Sequence, residues 1–239
     1  RIDEALAAVN RANGVKLQLG FQRRFDSNFR RVRDAVHSGE VGEPFLMNIT
    51  SRDPAPPPID YIKQSGGLFF DMMIHDFDMA RFVMGCEAVE VTATATSFDP
   101  AISEAGDVTT AVVTIQFENG AVGTISCCRK AVYGYDQRIE VLGSGGSVEI
   151  GNNFPNTAVV STGSEVKRDL PLNFFMDRYV EAYQREMESF VQVIKEDLPV
   201  PVTGMDGRVP VVMAYAAKKS YEERRAVKIS EIMYGASRL

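Results

Sequence analysis

Cysteine and histidine are scarce in this chain, with three of the first and two of the second among 239 residues. Two of the cysteines, Cys127 and Cys128, are adjacent, so they cannot build a disulfide framework and they point to a reducing, cytoplasmic setting. A basic excess is also missing. Lys+Arg number 26 against 32 Asp+Glu, a net charge of −6, and no basic tract breaks that balance, which argues against nucleic acid or an anionic membrane surface as main partner. The longest apolar run, Val211 to Ala217, falls far short of the roughly 20 residues of a membrane-spanning helix. The opening RIDEALAAVNRANG is charged and alanine-rich, which is not the pattern of a signal peptide. It starts at Arg1 without Met and already in helical periodicity, so it reads as a piece of something longer or as a chain with disordered first residues.

What is present is a mixed pattern. Ile2, Ala5, Leu6 and Val9 form a helical stripe that Asn13-Gly14 would stop, and Val15 to Leu19 reads as a strand. A helix is expected over Asn28 to Ser38 and a strand over Phe45 to Thr50. The four prolines between Asp53 and Pro58 force a loop. A helix from about Phe69 to Met84 should close at Gly85. Val/Thr-rich strands follow over Val89–Phe98, Val108–Glu118 and Ala121–Lys130, the last two joined by a Glu118-Asn119-Gly120 turn. Tyr135–Leu142 and Ser147–Ile150 flank a second turn, Ala158–Leu170 adds a strand or two, and helices over Met176–Glu196 and Asp206–Glu223 finish the chain. Consecutive strands joined by tight turns, with helices before and after them, mean an α+β fold: an open, mostly antiparallel sheet with helices on one face. We read one domain, its first helix and strand belonging to a neighbour.

Of the two histidines, His37 sits near a polar helix end, where a cation suits the dipole. His75 is the candidate. On one continuous helix, Asp71, His75 and Asp78 would share a polar edge, while Asp76 lies away from it. An imidazole beside carboxylates is what general acid/base chemistry uses; an exposed i,i+4 pair is the structural alternative. Without a second His or a Cys nearby, no metal site is expected. Gly143-Ser144-Gly145-Gly146 mimics the start of a dinucleotide loop, but the third glycine is missing and a strand follows, so no phosphate cradle is expected. Tyr133 and Tyr135 would point to one side of an extended backbone, lining a polyol pocket or capping a sheet edge. Arg23-Arg24 reads by default as an exposed pair, and at least one of Cys127 and Cys128 as a core filler.

Three stretches in order carry a resemblance. They are Gly20-Phe21-Gln22-Arg23-Arg24-Phe25-Asp26, then Gly66-Gly67-Leu68-Phe69-Phe70-Asp71-Met72-Met73-Ile74-His75-Asp76-Phe77-Asp78, then Tyr133-Gly134-Tyr135-Asp136. The chain resembles the glucose-fructose oxidoreductase/inositol dehydrogenase/rhizopine catabolism family over essentially its whole length. That resemblance implies NAD- or NADP-dependent oxidation of a ring secondary alcohol to a ketone, myo-inositol to scyllo-inosose first. It implies His75 as the base, Asp71 orienting it, and Asp78, Tyr135, Tyr133 and Arg24 contacting substrate. It also implies a separate dinucleotide-binding domain. Residues 1–20 would be the last helix and strand of that domain, and residues 21–239 the substrate-binding and oligomerisation domain. The chain itself would bind no cofactor, would be inactive alone, and would assemble as a dimer or tetramer through the open sheet face. The alternatives are a dehydrogenase of another sugar and a non-catalytic assembly module.

Overall fold

A computed structural model describes residues 1–12 and 14–235; Asn13, half of the expected helix stop, lies outside the described residues. Helices α1 (Ile2–Arg11) and α2 (Ser27–His37) precede strand β1 (Pro44–Arg52). Then come α3 (Ile59–Ser65), α4 (Leu68–Asp71), α5 (Met73–Met84), β2 (Ala88–Thr96) and α6 (Pro100–Glu104). Strands β3 (Thr110–Phe117), β4 (Val122–Cys128), β5 (Asp136–Gly143), β6 (Gly146–Ile150), β7 (Val159–Ser161) and β8 (Val166–Arg168) follow. The chain continues through α7 (Phe175–Arg178), α8 (Val180–Lys195), α9 (Gly204–Glu223), β9 (Val227–Lys228) and α10 (Ile229–Gly235).

The main sheet has seven strands in the order β6-β5-β1-β4-β3-β2-β9, and β7 and β8 form a separate ribbon. Among the described residues only β1 and β4 run parallel; the other pairings are antiparallel. Alternation along the strands sorts the side chains. Ala111, Val113, Ile115 and Phe117 of β3 are buried, as are Met47 and Ile49 of β1 and Ile139 and Val141 of β5. Helices α2, α5 and α9 cover this face. The other face stays open and mixes Val112, Val122 and Leu142, all exposed, with threonine, asparagine and glutamate. The α+β architecture expected from the sequence is thus present.

Three sequence expectations fail locally, each for a physical reason. Val15 to Leu19 is extended but forms no ladder: a strand needs an adjacent strand, and here Leu19 finds a single backbone partner, its N–H donating to the Val202 carbonyl at 3.0 Å. The long helix over 69–84 breaks at Met72 into α4 and α5. The helix expected over Met176–Glu196 likewise breaks at Tyr179, a fully buried residue between α7 and α8.

The parallel β1–β4 pair decides where the site forms. Arg52 lies opposite Cys128 on one side and Asp136 on the other. The residues just beyond those ends, Asp53, Arg129 and Tyr135, are therefore gathered at one end of the sheet. A β4 running antiparallel to β1 would have sent Arg129 to the opposite end.

Gly143 tests the packing at the other end. A Cβ there would run into the carbonyl oxygens of Val41 and Glu43, both backbone. Gly143→Ala should lower stability by about 2 kcal/mol, or roughly 4–8 °C in thermal melting. At Gly207 of α9 the obstruction is side chain alone, the Cγ and one Cδ of Leu19 at 2.9 Å, so Gly207→Ala should cost clearly less than Gly143→Ala. Equal melting shifts in the two variants would refute this reading of the packing.

Candidate active site

The sheet end, the first turn of α5 and the segment after Leu19 enclose a cavity of about 620 Å³. Each wall has a local cause. Residues Gln22–Phe25 form a 3₁₀ turn that is buried throughout, and Asp26 caps α2 by accepting from the N–H groups of Asn28 and Phe29. That turn points Arg23 at the cavity, and the end of β1 supplies Ser51 and Asp53. The last residue of α4 is Asp71, the first turn of α5 carries His75, and Tyr135 precedes β5. Tyr61 of α3 and Phe174 and Phe175 stand at the rim.

His75 lines the cavity with its ring edge-on to Phe21, centroids 5.8 Å apart. Its Nδ1 is buried and unpartnered. Burial first, and the nearby Arg23 guanidinium second, bring its pKa down to about 3. The imidazole is therefore neutral near pH 7 and can accept a proton. Asp71 is held from both sides: Tyr61 Oη donates to Oδ1 at 2.8 Å and Arg129 Nη1 to Oδ2 at 2.9 Å. Beneath them Arg23 Nη1 donates to Asp76 Oδ1 at 2.6 Å, and both side chains are buried. Burial pushes Asp53 up to about 6 despite the cations Arg23 and Arg129. Tyr135 is buried against Tyr179, ring centroids 6.0 Å apart.

The structure gathers some of the expected site residues and disperses others. Asp71, His75 and Tyr135 meet in the cavity, but the expected single polar edge does not exist, because the break at Met72 rotates Asp71 out of register with α5. Asp71 makes no hydrogen bond to His75; its oxygens are turned to Tyr61 and Arg129. Asp78 is buried outside the cavity, where Arg24 grips it through Nε and Nη2 at 2.7–3.1 Å and also reaches Asp206. The expectation that Arg23-Arg24 is an exposed pair is corrected, since only 4% and 8% of the two residues is exposed. Tyr133 is separated from Tyr135 because Gly134, at φ 129°, interrupts the extended backbone on which the one-sided placement depended. Its hydroxyl instead donates to Asp136 and accepts from Arg52.

Sequence reasoning missed Arg23, Asp53 and Tyr61 as wall residues and Arg129 as the partner behind Asp71. Arg129 and Asp53 carried a usable signal, lying one residue past strands that become neighbours, but only the pairing reveals it. Tyr61 carried none.

With this geometry described, the similarity to known proteins has a structural frame. The family model described as the GFO/IDH/MocA C-terminal domain matches residues 29–149. A myo-inositol 2-dehydrogenase of Thermotoga maritima is 48% identical over 234 residues, 97% of this chain and 70% of that protein. The crystal structure of a probable dehydrogenase from Thermotoga maritima superposes with a TM-score of 0.94 at 47% identity, covering 96% of this chain and 70% of that one. A Lactobacillus casei scyllo-inositol dehydrogenase solved with NAD(H) and scyllo-inositol gives a TM-score of 0.87 at 28% identity, covering 96% and 69%. The chain spans about two thirds of the length of its curated relatives, 64–70% for the first three.

The two displaced pKa values make opposing contributions to stability. For His75, at about 3 folded and about 6.5 unfolded, the unfolded chain binds the extra proton, so stability is full above pH 6.5 and falls on acidification. For Asp53, at about 6 folded and about 4 unfolded, the folded chain binds the extra proton, so stability falls as pH rises from 4 to 6. Between pH 4 and 6 the two slopes cancel in the wild type. Asp53→Asn should expose a loss of roughly 1–2 kcal/mol on going from pH 7 to 5, and His75→Gln should expose the opposite slope. Denaturant melts across this range check both; three parallel curves would contradict the assignment.

Proposed function

The chain belongs to the GFO/IDH/MocA C-terminal-domain family, and from that premise we propose that it forms the substrate half of a cyclitol dehydrogenase. In this reading it holds a ring polyol, myo-inositol first, while one secondary alcohol becomes a ketone, scyllo-inosose. The observation that carries the reading is the shared cavity of a neutral His75, Asp71 and Asp53 beneath a tyrosine and arginine wall. A polyol needs many hydrogen-bond partners of both signs and no counter-ion. Carboxylates that accept, guanidinium and phenol groups that donate, and paired charges supply that set. The names of the Thermotoga maritima and Lactobacillus casei relatives support the substrate class.

His75, kept neutral by burial, is the cavity's imidazole and accepts the hydroxyl proton at a ring nitrogen. Asp71 accepts a neighbouring ring hydroxyl and so orients the reacting carbon; Tyr135 packs against the ring. Oxidation also needs a hydride acceptor, and a nicotinamide dinucleotide, NAD or NADP, supplies it when bound. This chain's residues do not fit that group. Gly143-Ser144-Gly145-Gly146 is the β5–β6 hairpin, tied by Ser144 N–H to the Glu43 carbonyl, and no helix N-terminus follows it. The dinucleotide therefore belongs to a separate domain, and the 239-residue chain alone binds none and is inactive. Residues 1–20 are assigned to the end of that domain. They lie against the start of α9, with Asp3 paired to Arg208. The free thiols of Cys86, Cys127 and Cys128 fit a cytoplasmic setting.

Calorimetry of the chain against myo-inositol, scyllo-inositol and hexoses, and against NAD, checks this reading. Cyclitol binding without NAD binding is expected; hexose preference or micromolar NAD binding would defeat it. In the enzyme completed by its dinucleotide domain, His75→Ala should lower turnover roughly 100-fold or more. Asp71→Asn should weaken both orientation and substrate binding.

The open sheet face assembles the protein. Val112, Val122 and Leu142 are exposed by 42–47% on this face, and pairing two such faces under two-fold symmetry covers them. Sedimentation at micromolar concentration should show a dimer or tetramer, and Val112→Lys together with Val122→Lys should dissociate it. A wild-type monomer would refute this assembly.

A further inference from the structure

Arg129 stands one residue past β4, and its side chain is among the largest that are fully buried. Its N–H donates to the Thr109 carbonyl at 2.8 Å, which roots it in the β3–β4 frame. From there Nη1 donates to Asp71 Oδ2 at 2.9 Å and Nη2 to Asp107 Oδ2 at 3.1 Å. The other oxygen of Asp107 accepts the N–H of Leu68, the first residue of α4, at 3.0 Å. Gly67 makes room for that approach: its φ is +86°, and a Cβ there would lie 2.7 Å from Asp107 Oδ1.

One guanidinium and one carboxylate thus grip both ends of a four-residue helix. A single turn fixes several residues for very few hydrogen bonds and does not hold its shape alone. Because the chain breaks at Met72, the helix bearing His75 does not dictate where Asp71 points either. We infer that Arg129 is a positioning residue of the site. Together with Asp107 it fixes the Asp71 carboxylate at the cavity wall, commits Oδ2 to the guanidinium, and leaves Oδ1 for a ligand hydroxyl. Oδ1 accepts from Tyr61, whose residue is 52% exposed, so an entering hydroxyl can take that place. Arg129 acts on the ligand through Asp71 alone. Lysine is no substitute, because a point charge cannot serve two carboxylates in the geometry of a planar fork. The inference rests on the cyclitol reading of the cavity, so its test is chosen to be separable from that reading.

The 239-residue chain is labelled with ¹³C at aspartate, and the Asp71 carboxyl signal is identified by its loss in Asp71→Asn. In Arg129→Met the Asp71 carboxyl signal should move from its wild-type chemical shift at pH 7, because the guanidinium no longer holds Oδ2. By calorimetry the Kd for myo-inositol should rise about tenfold in Arg129→Met but less than twofold when Asp71→Asn is already present, the signature of two residues acting as one. An unmoved Asp71 signal, or equal losses in both backgrounds, would overturn the proposal. If Arg129→Met does not fold by circular dichroism, Arg129→Lys carries the test: a weakened Kd and a moved Asp71 signal support the assignment, and wild-type values for both refute it. Failure of wild-type chain to bind any cyclitol would defeat the functional reading, while the Asp71 signal still decides whether Arg129 holds Asp71.

Discussion

A buried cation governs the rest of the site. Arg23 is almost fully enclosed and meets Asp76, itself fully enclosed, at 2.6 Å. Taking either partner away would strand the other in a low-dielectric interior, typically at about 3–5 kcal/mol. That constraint pins the 3₁₀ turn of residues 22–25 to α5 and so brings together two segments that are far apart in sequence. The same guanidinium disfavours an imidazolium at His75 and opposes the effect of burial on Asp53. One pair therefore serves as a structural anchor and as the electrostatic reference for both titrating groups of the cavity.

Around that anchor the sheet behaves as a ruler. Register places Arg52 between Cys128 and Asp136; of the next residues outward, Asp53 and Tyr135 line the cavity and Arg129 holds Asp71. Precision comes from strands buried on one face, because a one-residue slip would turn every core side chain toward solvent. The helices contribute less precision. Both helix breaks occur beside the site, at Met72 and Tyr179, and in each case a residue needed by the cavity or its floor departs from the helical path.

Much of the architecture was legible in the sequence because its signals are local. Glu118-Asn119-Gly120 marks the β3–β4 turn, Gly85 closes α5 at φ 65°, and the Val/Thr alternation of β3 matches its burial pattern. Asp71 and His75 were legible as candidates because an imidazole and carboxylates stand together in an otherwise apolar stretch, whereas Tyr135 entered as a substrate contact only through the family resemblance. The failures share one cause, the extension of local periodicity across a point where tertiary contacts win. The polar edge from Asp71 to Asp78 assumed an unbroken helix, and the one-sided tyrosines assumed an unbroken strand. Arg23 and Arg24 read as exposed because charge usually means surface. Nothing near them in the sequence announces Asp76 and Asp78, more than fifty residues away, as partners.

The charge pairing has a chemical consequence. Five ionisable groups other than tyrosines contribute to the cavity wall or its floor: Arg23, Asp53, Asp71, His75 and Asp76. Arg23 is matched with Asp76, and Asp71 with Arg129. Breaking either pair would leave a buried charge without its partner. His75 and Asp53 are outside both ion pairs, and burial acts on them in opposite directions, favouring the neutral form of each. The imidazole is held neutral, and the carboxyl of Asp53 titrates near pH 6. The paired charges fix the geometry of the wall around the two groups whose neutral forms burial favours.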